Sequence, residues 1–592
     1  MNEVLQVIVD GLSDKLRGTL QLSAEEVANF NPDIPLVEQG VDSLVATTIT
    51  KWFSGELGLS IPVLKIISGA SVSDLAEEAA RRLPQSVMPL VESGSDARAV
   101  VTEASLEHEN KDQGVGDQKG AYQKEELELG QNGQQDNVIL RHERLSIAQE
   151  ESWKLQQAFG EEDVSITTVG MFMQGPIDLD RLARAWETSL RRHEIFRTAF
   201  SIESSQPHAL PVQAIMRYPV SNIVRLVPVA DREAADQELK KLTGSSRGTH
   251  YNVAAGKTML VDIYHWPTNH GDSPQFLLVL GYHRLVGDGS TTQNLFNEVG
   301  MLYNSGTGLP PAPQYSSLAA QQRADLSGGR LDASVQYWHD LYSIPSPPPR
   351  LPILPLPQAN FDADATTTLL QQHEATAHVP PRVAFRIRDR SRQYKAAAMH
   401  FYLTTYHVLL TRLTRSTTAG DIAIGIEDTG RSTTDQLAAM GPFANTLPVR
   451  MPAHTAGSTF IQTLSATRDS MRQAMPHAKV PLSALNNKSN LDMFQAVFDY
   501  RQGATESGQI GGASISETAV RRPPPGPGQH VFLEVSEDPA TAASTGPRVN
   551  VKLPAELYGV ADPGVFVDAY LALLALFSSN PALRVEEGDL KV

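Results

Sequence analysis

A long polar segment divides the sequence into two parts of unequal length. Residues 84–139 contain the run ESGSDARAVVTEASLEHENKDQGVGDQKGAYQKEELELGQNGQQDN, which is rich in Glu, Gln and Gly and nearly free of aromatic residues. A segment with so little apolar surface cannot offset the conformational entropy that is lost on folding. We therefore interpret residues 84–139 as a flexible acidic linker between two separately folded parts.

The composition argues against several classes of protein. With 592 residues the chain is too long for one ordinary core, and its formal net charge of −17 disfavours nucleic acid and anionic membrane surfaces as partners. No window approaches the roughly 18 uninterrupted apolar residues of a membrane span. The chain has no cysteine, and its amino terminus is unlike a signal peptide. We expect a cytoplasmic protein with no membrane or nucleic-acid partner.

Residues 1–83 have the pattern of a small all-α bundle. Apolar residues recur at helical spacing in NEVLQVIVDGLSDKLRGTL, and Ser and Asp occur at capping positions of the later segments. Within VEQGVDSLVATTI, Ser43 stands at the start of an amphipathic helix, where free backbone N–H groups favour a phosphate group. A simpler interpretation is that Asp42 or Ser43 only caps this helix.

The run from GVDSLVATTITKWFSGELG to IPVLKIISGASVSDLAEEAARRL resembles the carrier domain of fungal highly reducing polyketide synthases. The resemblance covers residues 1–83 and implies a four-helix carrier bundle. It also implies that Ser43, flanked by Asp42 and Leu44, carries an acyl chain as a thioester on a covalent 4'-phosphopantetheine arm. A phosphopantetheinyl transferase would then be a partner.

The remainder of the chain mixes strand and helix patterns. A proline-rich break, SIPSPPPRLPILPLPQ, indicates a boundary between two lobes, which we place at residues 140–345 and 346–592. The stretch RQGATESGQIGGASISETAVRRPPPGPGQ, residues 501–529, reads as a loose region before the last strands.

A strand, a tight loop and a helix are predicted around the segment GYHRLVGDGST, residues 281–291. The apolar run QFLLVLGYH precedes the loop, and STTQNLFNEVGMLY follows it with apolar residues at helical spacing. Ser290 or Thr291 is the predicted N-cap of this helix.

Several segments resemble, in the same order, the conserved segments of condensation domains from nonribosomal peptide synthetases. They are LSIAQEESW, RRHEIFRTAF, YHRLVGDGS, DIAIGIEDTGR with MGPFANTLPVR, and VPLSAL with FQAVFDYRQ. The resemblance spans about 450 residues. It implies a multidomain chain whose large part is an α/β (α+β) fold of the chloramphenicol acetyltransferase type, with two lobes and a tunnel between them.

The family pattern also identifies candidate site residues. It has two histidines, three free positions and Asp-Gly, and here the second histidine is replaced by Arg284. Arginine cannot accept a proton at physiological pH, and His283 is expected to face away from the tunnel because neighbouring strand residues point to opposite faces. The resemblance further implies that Asp288 pairs with Arg197. Gly289 is expected to serve the turn, and no metal site is predicted.

These features predict the carrier and terminal condensation-like portion of an iterative polyketide synthase. In this interpretation the tunnel receives the chain from the carrier arm, ordinary amide formation is lost, and the domain helps to hold, cyclise or release the chain. The expected partners include upstream polyketide synthase domains, which the sequence lacks, so we expect a part of a longer protein; a trans-acting reductase or release enzyme is another candidate. Two alternatives remain: an active condensation domain of a polyketide synthase–peptide synthetase hybrid, and a non-catalytic docking module.

Overall fold

The fold is taken from a computed structural model of the whole chain. The residues that it describes are 2–20, 31–39, 41, 49–50, 52–53, 56–57, 59, 61, 65–66, 70–82, 138–159, 165–202, 210–244, 250–267, 273–305, 309–343, 372–414, 421–454, 457–485, 493–502, 510–521, 531–537, 544–558 and 562–588.

The amino-terminal part contains two long described helices, α1 (Asn2–Leu20) and α2 (Val72–Arg82), which pack against each other. The apolar residues of α1 recur at helical spacing, and those that face the core are fully buried: Val4, Ile8, Leu12 and Leu16. A 3₁₀ helix, Leu36–Gln39, lies between them in the sequence. One apolar stripe per helix is buried, and these residues belong to the same apolar cluster as the core of the second lobe.

The first lobe combines a three-stranded sheet and a five-stranded sheet with six helices among its described residues. The helices are α3 (Ile147–Phe159), α4 (Leu179–Arg192), α5 (Arg232–Thr243), α6 (Gly289–Ser305), α7 (Tyr315–Ser327) and α8 (Asp332–Ser343). The strands are β1 (Ile139–Arg144), β2 (Ile166–Gln174), β3 (Thr198–Ser201), β4 (Val212–Met216), β5 (Val224–Pro228), β6 (Met259–His265) and β7 (Gln275–His283).

The second lobe is built on a six-stranded sheet. Its strands are β8 (Gln372–His378), β9 (Ile422–Asp428), β10 (Asn445–Met451), β11 (Ala496–Gln502), β13 (Val531–Glu537) and β14 (Arg548–Pro554). Strand β12 (Ser514–Arg521) belongs to the sheet of the first lobe, although it lies in this part of the sequence. Its described helices are α9 (Pro381–Gln393), α10 (Ala398–Thr414), α11 (Thr434–Ala438), α12 (Phe460–Ala474), α13 (Ala555–Tyr558) and α14 (Pro563–Ser579).

The three sheets have the strand orders β1-β4-β3, β12-β2-β7-β6-β5 and β10-β9-β11-β13-β14-β8. In the six-stranded sheet, alternate residues of each strand lie against buried helices such as α10, whose residues are almost all buried, as the period of two requires. The opposite face carries polar side chains at its centre, among them Glu427, Asp499 and Glu534. This polar face is relevant to the site described below.

Strand β12 corrects one expectation from the sequence. The stretch 501–529 was expected to be loose, but β12 lies within it and pairs antiparallel with β2 of the first lobe, with Ile515 opposite Met173. Ile515 and Val520, on either side of a register shift between positions 517 and 519, both pack against the core of the first lobe, which explains why a segment rich in Gly and Ser forms a strand here. Helix α8 precedes the predicted lobe boundary at residue 345, but its Trp338 packs in the core of the second lobe.

No helix among the residues described above is both long and apolar enough to cross a membrane.

Candidate functional site

The predicted strand, loop and helix are present as β7, residues 284–288 and α6. The helix begins at Gly289, and its cap is Asp288 rather than Ser290 or Thr291: the backbone N–H of Thr291 donates to Asp288 Oδ1 at 2.9 Å. The Thr291 hydroxyl donates to the same oxygen at 3.0 Å. A carboxylate at this position suits the positive end of the helix dipole.

Asp288 also forms a buried ion pair, with a partner that differs from the predicted one. Arg431 reaches it from the second lobe through two parallel hydrogen bonds, Nη1 to Oδ2 at 2.7 Å and Nη2 to Oδ1 at 3.0 Å. The side chains are 1% and 9% exposed, so the pair is shielded from solvent. The predicted pair with Arg197 is wrong, because Arg197 donates to the backbone carbonyl of Met216 and lies 3.6 Å from Glu194.

Further donors complete the coordination of Asp288. The backbone N–H groups of Phe443 and Ala444 donate to Oδ2 at 2.9 and 3.1 Å. Burial by itself raises the pKa of this carboxyl, but Arg431 and the N–H donors outweigh it and hold the pKa below its usual range. Asp288 is therefore an ionised anchor with no free oxygen to offer a substrate.

Residues 429–444, which we call the crossover segment, bind the second lobe to the first. The Asn294 amide donates to the carbonyl of Leu437 at 2.8 Å, and the Tyr315 hydroxyl donates to that of Pro442 at 2.9 Å. Gly441 has a φ of +148°, and a Cβ atom there would lie 2.2 Å from the Tyr315 ring, so this position requires glycine. The contacts fix the position of the crossover segment beside α6.

His283 braces its own turn. Its Nδ1 accepts a hydrogen bond from the backbone N–H of Leu285 at 3.1 Å, and its Nε2 has no hydrogen-bond partner among the described residues. Burial, followed by the charge of Arg284, lowers the pKa of His283 to about 3. The imidazole is therefore neutral at physiological pH. Its neighbour Tyr282 lies in the core of the first lobe and donates to the carbonyl of Asp288 at 2.9 Å.

The two glycines of the loop do not serve the turn through their backbone conformation. Neither Gly287 nor Gly289 has a left-handed φ, which corrects the expected role of Gly289. A Cβ atom at Gly289 would meet no atom within 4 Å, whereas one at Gly287 would lie 3.2 Å from the Tyr282 ring. Close packing, rather than backbone freedom, explains Gly287, and nothing in the structure explains Gly289.

Arg284 extends from the same loop and is half-buried. Its backbone N–H donates to the carbonyl of Ser165 at 2.8 Å, but its guanidinium has no hydrogen-bond acceptor among the described residues. Burial lowers its pKa, and the charges of Glu151 on α3 and Glu427 on β9 oppose this. Arginine remains charged even so, and Arg284 is thus a cation with free donors between elements of both lobes.

Glu427 was missed in the sequence. It lies in DIAIGIEDTGR at the end of β9, and its Oε1 accepts a hydrogen bond from the Thr446 hydroxyl at 2.7 Å. Burial first, and then the charge of Asp499, raise its pKa to about 7. The same segment contains Arg431, and because DIAIGIEDTGR is one of the segments that resemble condensation domains, its charged residues were the available signal for both. We call Arg284 and Glu427 together the interlobe pair.

The predicted attachment residues Asp42, Ser43 and Leu44 lie outside the described residues. The chain just before them is well packed: Val41 is buried, and its N–H donates to the carbonyl of Leu36 at 3.0 Å.

Two surface pockets lie apart from the interlobe pair. One, of about 260 Å³, is lined by residues that include Leu190, Tyr218 and Asn222. The other, of about 430 Å³, includes Tyr337, Asp421 and Arg450. Neither contains a residue of the predicted site.

Two family models match the chain. One, described as "Condensation domain", matches residues 139–515, and the other, described as "Phosphopantetheine attachment site", matches residues 10–79. The first covers more than half of the sequence. The second confirms the predicted cofactor, a 4'-phosphopantetheine group attached covalently to a serine.

The chain is similar to components of two fungal synthases. It is 42% identical over 618 residues to "Compactin nonaketide synthase, polyketide synthase component" from Penicillium citrinum, covering 99% of this chain and 20% of that protein. It is 42% identical over 611 residues to the corresponding "Lovastatin nonaketide synthase" component from Aspergillus terreus, covering 99% and 19%. The chain thus spans about a fifth of the length of these curated relatives.

A solved structure supports the fold. The condensation domain from Monacolin K polyketide synthase MokA superposes with a TM-score of 0.68 at 39% identity, covering 76% of this chain and all of that one. The predicted two-lobed fold is confirmed.

Proposed function

The chain belongs to the condensation-domain family, and because it also contains a phosphopantetheine-attachment domain, we propose that it is the carrier and condensation-like part of an iterative polyketide synthase. Ser43 carries the growing polyketide as a thioester, and the space between the lobes receives that chain. A phosphopantetheinyl transferase loads the arm. Upstream polyketide synthase domains supply the acyl chain, and a trans-acting reductase or release enzyme acts on it.

Ordinary amide formation is lost in this proposal. The observation that carries this conclusion is that Arg284 is a protonated guanidinium at the position where the family pattern has a histidine. An amine that attacks a thioester forms a C–N bond as the C–S bond breaks, and it must give up a proton. The residue at this position is a half-buried guanidinium, which is already protonated and cannot take that proton. The neighbouring His283 is neutral, but its Nδ1 accepts the hydrogen bond that braces the turn.

Arg284 instead acts as a fixed hydrogen-bond donor. Its guanidinium has no hydrogen-bond acceptor among the described residues, and in this proposal it donates to the carbonyl of the bound thioester. A donor in a partly desolvated site polarises a carbonyl and fixes its orientation without transferring a proton. The Asp288–Arg431 pair keeps the loop that carries Arg284 in place. Holding, cyclisation or release of the polyketide is compatible with such a group.

The test begins by loading Ser43 with a pantetheine-linked polyketide mimic and adding candidate amines. Mass spectrometry of the carrier then reports loss of the acyl group and formation of amide. We expect the loaded mass to persist with no amide, and Ser43→Ala to abolish loading. Arg284→His restores a proton acceptor at this position, whereas Arg191→His, on the exposed face of α4, is the matched control. Amide formation by the unaltered chain contradicts the proposal.

A second candidate is a working condensation domain that joins the acyl chain to an amino acid. It is favoured by the intact frame around the site: Asp288 is held by two hydrogen bonds from Arg431 and by the backbone of the crossover segment. Amide formation in the same experiment would establish this candidate instead.

A further inference from the structure

The turn that carries Arg284 is held at its beginning as well as at its end. Asp288 closes the end of the turn through its two hydrogen bonds from Arg431. At the beginning, the carbonyl of Leu285 accepts a hydrogen bond from the side-chain amide of Gln149 on α3, at 3.1 Å. Gln149 is fully buried, so this hydrogen bond is shielded from water. The residue that follows Arg284 is thus fixed to a different element from Asp288.

Gln149 also closes the amino-terminal end of α3. Its backbone N–H donates to Ser146 Oγ at 3.0 Å, and the backbone N–H of Ser146 donates to Gln149 Oε1 at 2.8 Å. This reciprocal arrangement is a capping box, in which glutamate serves as well as glutamine. Only glutamine has an N–H group left to donate to Leu285 once its oxygen accepts from Ser146. The contact with the turn is therefore a reason for glutamine, rather than glutamate, at this position.

Tyr315 on α7 connects the capping box to the second lobe. The hydroxyl oxygens of Tyr315 and Ser146 lie 2.6 Å apart, and the Tyr315 hydroxyl lies 2.9 Å from the carbonyl of Pro442 in the crossover segment. Because a carbonyl only accepts, Tyr315 donates to Pro442, and Ser146 donates to Tyr315. Burial raises the pKa of Tyr315 above its ordinary value, so the hydroxyl keeps its proton at physiological pH.

The crossover segment also holds the ring of Tyr315. The ring packs edge-on against Phe443, with ring centroids 4.9 Å apart, and it lies against Gly441, where a Cβ atom would overlap it. These contacts and the hydrogen bond to Pro442 fix the Tyr315 hydroxyl relative to the crossover segment.

The contacts form one continuous series of buried hydrogen bonds, which we call the buried relay: Pro442, Tyr315, Ser146, Gln149 and Leu285. We propose that Gln149 is a positioning residue for Arg284, and that the buried relay makes the position of Arg284 depend on the crossover segment. A donor orients a carbonyl only if its own position is fixed. The inference rests on the proposed function, in which Arg284 donates to the thioester carbonyl. No covalent bond is made or broken.

Hydrogen exchange of the full chain, followed by mass spectrometry, tests whether the relay fixes the turn. The backbone N–H groups of Arg284, Leu285 and Val286 are hydrogen-bonded, so a peptide that covers residues 281–288 should exchange slowly. Gln149→Glu keeps the capping box but places an acceptor, instead of a donor, against the Leu285 carbonyl. We expect exchange in this peptide to become about tenfold faster at pH 8, the effect of one buried hydrogen bond, with no change at the start of α3.

Protonation of the introduced carboxyl provides a rescue. The protonated group donates to the Leu285 carbonyl as the amide does, and burial raises the pKa of a carboxyl toward mildly acidic pH. We expect the exchange of Gln149→Glu, relative to the unaltered chain at the same pH, to return to normal between pH 8 and pH 5. Gln149→Met has no group to protonate and should stay fast. A general loss of stability does not produce this difference, and the absence of any rescue contradicts the relay.

Tyr315→Phe tests the far end of the relay. It keeps the ring beside Phe443 and removes only the hydroxyl, so we expect severalfold faster exchange in the same peptide. Tyr303→Phe is the matched control, because Tyr303 is also buried in the first lobe but accepts from the backbone N–H of Asp178, at 3.0 Å. The double variant of Tyr315→Phe and Gln149→Glu should exchange no faster than Gln149→Glu alone, since both interrupt one series of contacts.

Loading Ser43 with the pantetheine-linked polyketide mimic separates this inference from the proposed function. We expect loading to slow exchange of the 281–288 peptide in the unaltered chain, and to slow it less in Gln149→Glu. If loading slows exchange equally in both, and the variants exchange normally when unloaded, the relay is overturned and the proposed function stands. If loading changes nothing in the unaltered chain although the variants loosen the turn, the proposed function fails, and the positioning role of Gln149 fails with it.

Discussion

Two carboxylate–guanidinium combinations have one member in each lobe, and they differ in how fully their hydrogen bonds are satisfied. Asp288 and Arg431 form two direct hydrogen bonds, and backbone N–H groups saturate the carboxylate. Arg284 and Glu427 have opposite charges as well, but their free donors and acceptor do not meet. A buried charge without a partner lowers stability, so it persists where it has another use. The first pair holds the lobes together, whereas the two groups of the second make no contact with each other.

The largest expected effect comes from breaking the satisfied pair. Arg431→Met leaves the Asp288 carboxylate buried without its cation, which should destabilise the chain by about 3–5 kcal/mol. Urea unfolding followed by tryptophan fluorescence measures the change. The exposed pair of Arg330 and Asp325 provides the control, and Arg330→Met should cost no more than about 1 kcal/mol. Similar losses for both variants would mean that Arg431 does not hold the lobes together.

The next effect depends on pH. The pKa of Glu427 in the folded chain, about 7, lies above its ordinary value of 4.5. The protonated form is thus favoured by folding: its contribution is complete below pH 4.5 and is lost as the pH rises through 7. Glu427→Gln, which resembles the protonated form, should stabilise the chain at pH 8 on the order of 2 kcal/mol. It should change little at pH 4.5.

Thermal unfolding at the two pH values checks this expectation. Asp288 is the internal contrast, because its pKa is lowered: its contribution is present above its ordinary pKa and is lost as the pH falls through the folded value. If Glu427→Gln were equally destabilising at both pH values, the carboxyl would have a fixed structural role instead.

The smallest effect is expected at Arg284. Its guanidinium has no hydrogen bond within the described residues to lose, and burial already penalises its charge. Arg284→Met should therefore change the free energy of unfolding by less than about 1 kcal/mol. A small increase in stability is also compatible, because the substitution removes the desolvation penalty of a buried charge. Urea unfolding beside Arg431→Met gives the comparison directly. A loss as large as that of Arg431→Met would place Arg284 among the groups that hold the fold.

Local features of the site could be predicted from the sequence, whereas contacts between distant segments could not. The apolar run of β7 and the helical spacing of α6 identified the strand, loop and helix. The partner of Asp288 was misassigned because Arg431 is 143 positions away, and no periodicity reports which of several arginines reaches a carboxylate across two lobes. The N-cap was displaced by two or three residues because Asp, Ser and Thr all suit that position.

The polar face of the second sheet shows the same limit. Alternation along IAIGIED places Glu427 on the face of β9 opposite to Ile424 and Ile426, which lie in the core of the second lobe. What lies across from that face is decided by the packing of the first lobe. The unusual protonation of Glu427 depends on Asp499, which the parallel pairing of β9 and β11 brings beside it. Neither relation has a signature within a window of ten or twenty residues.

Strand β12 has a practical consequence for dividing the molecule. Residues 514–521 come late in the chain but form the outer strand of the first lobe's sheet, beside β2. A fragment that ends at the proline-rich break would leave the backbone of β2 unpaired along one side, and such bare edges recruit other strands. Expression of the first lobe alone should therefore yield self-associating material. The two lobes form one folding unit, because a strand from the later part of the chain completes the sheet of the first lobe.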